Sequence, residues 1–249
     1  MRCPCIITFH LSYRIHDFCS DGLLILGIVI EGFVWMNTGI PFKRAFRSLV
    51  ALVGTCGLLI HWYSAIVNRP ADWSVPQAIL DSVSQFTVQT NLFVLAWLAI
   101  AIIYWKDESQ QPLLQPRIKG AFTLYITITF IIYAVIFAGS SQLEGLDIIS
   151  NAINHYVTPI AFVLDWVLFE IRKSYQWRYA IQWLIYPLIY LVYSQIYGQI
   201  TGDYLYPFFD TPVLGYGGLM IQVGILLVFF VILGCIYVAI NKHLRAFFP

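Results

Sequence analysis

Charge is scarce in this chain. Its 249 residues include 14 Lys and Arg and 13 Asp and Glu, or 11% charged, against 59% apolar. Globular domains in water carry about a quarter of their residues charged, so a soluble reading is excluded. The net charge of +1 supplies no basic field for nucleic acid and no acidic tail, which leaves function to a site inside the protein. Cysteine is scarce too. There are five, an odd number, with no C-x-x-C pair, so neither a disulfide framework nor a zinc site is indicated. The first residues lack a clean basic head, an apolar middle of the right length and a small-residue cleavage site, so no cleavable signal is expected. No low-complexity linker marks off a second domain.

What is abundant is apolar and aromatic surface, with 18 Phe, 16 Tyr and 8 Trp. Such a chain has hydrocarbon for its solvent and aromatic belts at the two interfaces. Six stretches are long enough to span a bilayer: residues 48–67, 79–105, 120–139, 148–169, 180–200 and 217–240. The expected fold is all-α, an integral membrane bundle of six transmembrane helices. Its domain plan is an N-terminal extension over 1–46, a six-helix membrane domain over 47–244 and a short tail over 245–249. A further apolar run, 22–40, is interrupted by Glu31 and Asn37. It either adds a seventh span or lies in the interface, because a carboxylate near a helix centre costs about 2.5–3.5 kcal/mol on insertion scales.

Basic residues give the orientation. Lys43, Arg44 and Arg47 precede the first span, and Lys106, Arg117 and Lys119 follow the second. Arg172, Lys173 and Arg178 follow the fourth, and Lys242 and Arg245 follow the sixth, whereas the other connections hold Arg69 alone. Both ends of the core are therefore expected on the cytoplasmic side.

Polar side chains within spans are costly, so each is a candidate for function. The fourth span carries Asn151, Asn154 and His155 ahead of Pro159. The second carries Thr87, Thr90 and Asn91, which share one helical face. Thr87 and His155 both lie about 10–12 Å below the outer edge at 1.5 Å per residue. Counted from the inner ends, Thr90 matches His155 better, so both threonines stay open. A threonine hydroxyl becomes a nucleophile when a neighbouring imidazole takes its proton. Asn91, Asn151 and Asn154 are candidate oxyanion donors. Asp165, at the inner end of the fourth span, is expected to snorkel to the interface or to pair with Arg172 or Lys173, and not to be catalytic. His61 lies at about the depth of His155, and two facing histidines could ligate a haem iron; this is the competing chemistry, alongside a transporter or a purely structural membrane protein. The outer connection 199–212, with two acids, two prolines and a cluster of aromatics, reads as a rigid lid or rim.

The N-x-x-x-H of Asn151 and His155 followed by Pro159, the F-T of Phe86 and Thr87 ahead of Asn91, and the T-G-x-x-x-Y-P-F ending at Phe208 together resemble the androgen-induced protein family. That family includes the androgen-dependent TFPI-regulating protein. The resemblance covers the six-span core and is closer to the bacterial six-span branch, which implies an inner-membrane location. It implies a multi-pass hydrolase of fatty acid esters of hydroxy fatty acids (FAHFA), with a threonine nucleophile and a histidine base, no cofactor and no metal. His155 matches the family histidine. The family threonine stands three residues before the asparagine, whereas here Thr87 stands four before Asn91 and Thr90 one; Thr87 is favoured because it follows Phe86. Tyr206 belongs to the outer-loop motif and is carried as a further substrate or oxyanion candidate. The expected partners are a lipid ester or fatty-acyl ligand and membrane lipids.

Overall fold

The computed structural model describes residues 40–139 and 143–243. The apolar run 22–40 and the tail 245–249 lie outside the described residues, apart from Ile40. From Lys43 onward the chain is one compact unit, and it is helical throughout, as the apolar pattern requires. The elements are α1 (Ile40–Val67), α2 (Val75–Ser84), α3 (Phe86–Ile103), α4 (Pro116–Ile132), α5 (Leu146–Ala152), α6 (Thr158–Phe169), α7 (Arg178–Gln182), α8 (Ile185–Thr201) and α9 (Thr211–His243). One-turn π-helical segments, Tyr133–Phe137 and Ile153–Val157, continue α4 and join α5 to α6. Five of the resulting helices, Phe42–Val67, Phe86–Ile103, Pro116–Phe137, Leu146–Phe169 and Thr211–His243, are long and apolar enough to cross a membrane. Their outward faces are apolar: Leu52 is 63% exposed, Val135 78% and Ile221 65%. Such a surface fits lipid and would aggregate in water.

Two expected spans are broken rather than continuous, each for a local reason. In the fifth, Pro187 has no N–H and its ring crowds the carbonyl one turn back, that of Trp183. The helix interrupts there, between α7 and α8, and the freed Trp183 carbonyl accepts a hydrogen bond from the buried Tyr125 hydroxyl at 2.8 Å. In the second, Gln85 is extended (φ −69°, ψ 136°) and separates α2 from α3. Side chains repair that break. The Val83 and Ser84 carbonyls accept from Gln89 Nε2 at 3.0 and 3.4 Å. Ser84 O also accepts from Tyr190 Oη at 3.0 Å. Non-helical backbone at membrane depth persists only where such partners or a cavity receive it.

The helices approach closely where glycine allows it, as small residues do in membrane bundles. A Cβ on Gly120 would lie 2.5 Å from the Trp183 ring, and one on Gly57 would lie 2.4 Å from Ile153 Cγ2. Around these contacts lies an aromatic core: Tyr125, Trp166, Trp183 and Tyr237 form one cluster, and Trp97 and Phe162 anchor another.

At the basic end, Asp165 is fully buried and its pairing differs from the sequence expectation. Arg47 Nε donates to Asp165 Oδ1 at 2.7 Å, and Lys119 Nζ lies 2.7 Å from Asp165 Oδ2. Arg172 instead sits over the Trp166 ring at 4.8 Å, and Lys173 occupies a left-handed turn (φ 61°). The helix aims Asp165 at the bundle interior, where α1 and α4 bring cations to it. The network extends from Arg47 to Glu108 (2.9 Å), from Lys43 to Glu108 (2.8 Å) and from Lys119 to Glu170 (3.4 Å). Both Arg47 and Lys119 also lie over the Trp97 ring, at 4.7 and 5.0 Å.

Candidate functional site

Three backbone irregularities of the opposite end meet at one place. His155 is the middle residue of the π-turn Ile153–Val157. Its cause is Pro159: lacking an N–H, it cannot bond the His155 carbonyl, and Thr158 N–H reaches back five residues to Ile153 O. Tyr133 opens the other π-turn. Its ring stacks on the His155 imidazole with centroids 3.9 Å apart and planes 26° from parallel. Thr87 lies in the first turn of α3, just past the Gln85 break. π-turns of this kind recur at functional sites.

Thr87 Oγ1 is 3.3 Å from His155 Nε2. The second ring nitrogen, Nδ1, is 3.3 Å from the Asn151 backbone carbonyl. A carbonyl can only accept, so in the neutral ring Nδ1 carries the proton and Nε2 presents its lone pair to the threonine hydroxyl. This is the tautomer a general base requires. Thr90 is differently occupied. It is 1% exposed, its hydroxyl donates to Thr87 O at 3.1 Å, and it lies 2.9 Å from Thr129 Oγ1.

The asparagines divide similarly. Asn91 Nδ2 donates to Thr87 O (2.9 Å) and to Asn154 O (3.0 Å). Asn154 Nδ2 donates to Gly57 O and to Ser150 Oγ, both at 3.2 Å. Each amide therefore has both hydrogens engaged within the bundle. Asn151 contributes its backbone carbonyl to His155, and its side chain is half-buried.

The outer connection folds inward over this site. Gly202, in the left-handed region (φ 82°), ends α8. Gln195 then holds the loop: its Nε2 donates to Phe209 O at 2.8 Å, and its Oε1 accepts from Thr211 Oγ1 at 2.6 Å. Tyr206 is thereby inserted against α3, where its hydroxyl oxygen accepts from Phe86 N–H at 3.0 Å and reaches the Thr87 side chain. Burial pushes this phenol up from its ordinary range, so it stays protonated and able to donate.

These groups form the polar end of a cavity of about 300 Å³. Gln85 and Thr129 add further polar atoms, and the rest of the wall is mostly apolar, including Ile132, Phe137, Leu191, Phe208 and Phe230. Its chemistry suits an acyl chain with one polar linkage at the Thr87 end. Among the described residues, no three His, Cys, Asp or Glu side chains gather as a metal site. His61 lies on α1 with Nε2 buried and without a hydrogen-bond partner, whereas both nitrogens of His155 are engaged by protein atoms. Tyr133 and Tyr190 escaped the sequence reading because an aromatic in a membrane helix carries no mark of what it stacks on or bonds.

Compared with family models, curated proteins and solved structures, the chain gives no match to any.

Proposed function

We propose that this protein is a membrane-embedded hydrolase of amphiphilic lipid esters, with Thr87 as nucleophile and His155 as general base. The observation that carries the reading is the 3.3 Å approach of Thr87 Oγ1 to a correctly oriented Nε2, at the polar end of an apolar cavity. The ester enters with its acyl chain along the apolar wall and its carbonyl beside Thr87. Oγ1 attacks the carbonyl carbon as His155 Nε2 takes the hydroxyl proton, and the same proton goes to the departing alcohol. The acyl group is then held as a threonine ester. Water, deprotonated by His155, attacks that ester and releases the carboxylic acid and the threonine hydroxyl. Tyr206 O–H, which accepts from the Phe86 N–H and lines the same cavity, is the donor assigned to the developing oxyanion. Such donors are worth about 2.7–4 kcal/mol where they have been removed from other enzymes.

The resemblance to the androgen-induced protein family supports His155 as the base and would narrow the substrate to fatty acid esters of hydroxy fatty acids; Thr87 rests on the contact with His155. The test is covalent labelling of detergent-purified protein by a fluorophosphonate, which reports an activated hydroxyl. Thr87→Ala should abolish labelling, and His155→Ala should slow it by about 10²–10⁴-fold, with thermal unfolding unchanged. Labelling of both variants at the wild-type rate would end the proposal.

A further inference from the structure

The catalytic pair sits on two helices that have no covalent reason to keep their spacing. Each is also locally irregular, α3 beginning at a break and His155 lying in a π-turn. Something must set their separation to within a few tenths of an ångström, since a 1 Å misplacement costs about 10²-fold in rate. One side chain bridges the two. Asn91 Nδ2 donates one hydrogen to the carbonyl of Thr87 itself, at 2.9 Å, and the other to the carbonyl of Asn154, the residue before His155, at 3.0 Å. Asn91 is 0% exposed and so lies away from the cavity's contents; it is not among the residues that line the cavity.

The far end of the bridge is anchored as well. Asn154 donates to Gly57 O on α1 at 3.2 Å, and Ser150 Oγ donates to the same oxygen at 3.4 Å. Gly57 has no room for a Cβ, which would stand 2.4 Å from Ile153 and 2.8 Å from Asn154 Oδ1. The π-turn is thus pressed between a glycine surface on one side and the Asn91 amide on the other. Two backbone carbonyls facing one another repel; a primary amide, with two hydrogens splayed from a single nitrogen, satisfies both at once. No aliphatic side chain does this, and a carboxylate at this position would add repulsion.

We infer that Asn91 is the positioning residue of the site: it locks the Thr87 and His155 backbones in register and so sets the hydroxyl-to-imidazole distance, without touching the substrate. The inference rests on the proposed hydrolase reading. It also removes Asn91 and Asn154 from the oxyanion role, because their amide hydrogens are already spent.

The test is the pH profile of fluorophosphonate labelling for wild type, His155→Ala, Asn91→Leu and Asn91→Asp, with folding followed by thermal unfolding. In wild type the rate should rise with pH along one proton's titration and then level off, as a resident base gives. In His155→Ala it should be low and rise steadily with hydroxide. Both Asn91 variants should be about 10²-fold slower at neutral pH and should take the His155→Ala shape. A variant that merely lowers the folded fraction would scale the wild-type profile and keep its plateau, and that result would overturn the inference. Should Asn91→Leu fail to fold, Asn91→Ser, too short to span both carbonyls, carries the same expectation. A wild-type protein that is not labelled at all, or a His155→Ala variant that behaves like wild type, sinks the hydrolase reading itself rather than the role of Asn91.

Discussion

The two ends of the bundle each bury polar groups that hydrocarbon should exclude, and they treat them in opposite ways. At the basic end, Arg47, Lys119 and Asp165 are no more than 3% exposed, and each meets at least two partners of opposite charge or an aromatic face. At the other end, Thr87 and His155 are bonded to one another by a single, rather long contact of 3.3 Å and face a cavity. Saturation makes architecture. A pair whose remaining valence points into a largely apolar hollow can meet a ligand. The closed ion network ties α1, α4 and α6 together and lets the opposite end carry its breaks and π-turns.

The largest effect should come from opening the saturated end. Asp165→Ala strands Arg47 and Lys119 in a site with almost no water. Removing one partner of a buried ion pair costs about 3–5 kcal/mol. Glu108 and Glu170 remain to receive part of the charge, at 2.9 and 3.4 Å. Thermal unfolding should drop accordingly, whereas Thr87→Ala should leave it in place. If Asp165→Ala proves as stable as wild type, the basic end is not what holds the helices, and saturation of buried charge does not mark architecture in this protein.

A smaller effect separates the two threonines. Thr90→Val keeps the shape of the side chain and loses the bonds to Thr87 O and Thr129 Oγ1. Net hydrogen-bond contributions are about 0.5–1.5 kcal/mol, so the variant should be slightly less stable and still be labelled at close to the wild-type rate. Loss of labelling with stability intact would transfer the nucleophile to Thr90.

How much of this was legible beforehand follows from what each feature depends on. Five of the six expected spans could be read because hydrocarbon imposes length and composition locally; the stretch 180–200 is helical but interrupted ahead of Pro187, and no helix there is long enough among the described residues. The pairing of a threonine-bearing helix with a histidine-bearing one could be guessed from depth, but not which threonine, since counts from the two ends disagreed. The structure shows why counting fails: the Gln85 break and the π-turn at His155 both shift register. The break is held by Tyr190 and Tyr206, which stand 106 and 120 residues further along than their partners. The π-turn has a local signal, Pro159, whose missing N–H acts on His155 itself. Asp165 was misassigned for the same reason as the break was missed, because its partners, 118 residues away on α1 and 46 away on α4, leave no trace near it in sequence.

The smallest effect tests where saturation stops. Lys43 belongs to the same network as Asp165, yet its side chain is 29% exposed and its partner Glu108 26%. Their contact, at 2.8 Å, is within 0.1 Å of the 2.7 Å contacts to Asp165, but a partly wetted pair is screened and contributes only about 0.2–1 kcal/mol. Lys43→Ala should therefore lower thermal stability slightly, and added salt should shrink the difference. Salt should leave the Asp165→Ala deficit almost untouched, because ions do not reach a charge buried among helices. A Lys43→Ala loss as large as that of Asp165→Ala, and equally deaf to salt, would mean that distance rather than burial sets the strength of this network. The boundary between architectural and exposed charge would then have to be drawn outside Glu108 rather than between it and Arg47.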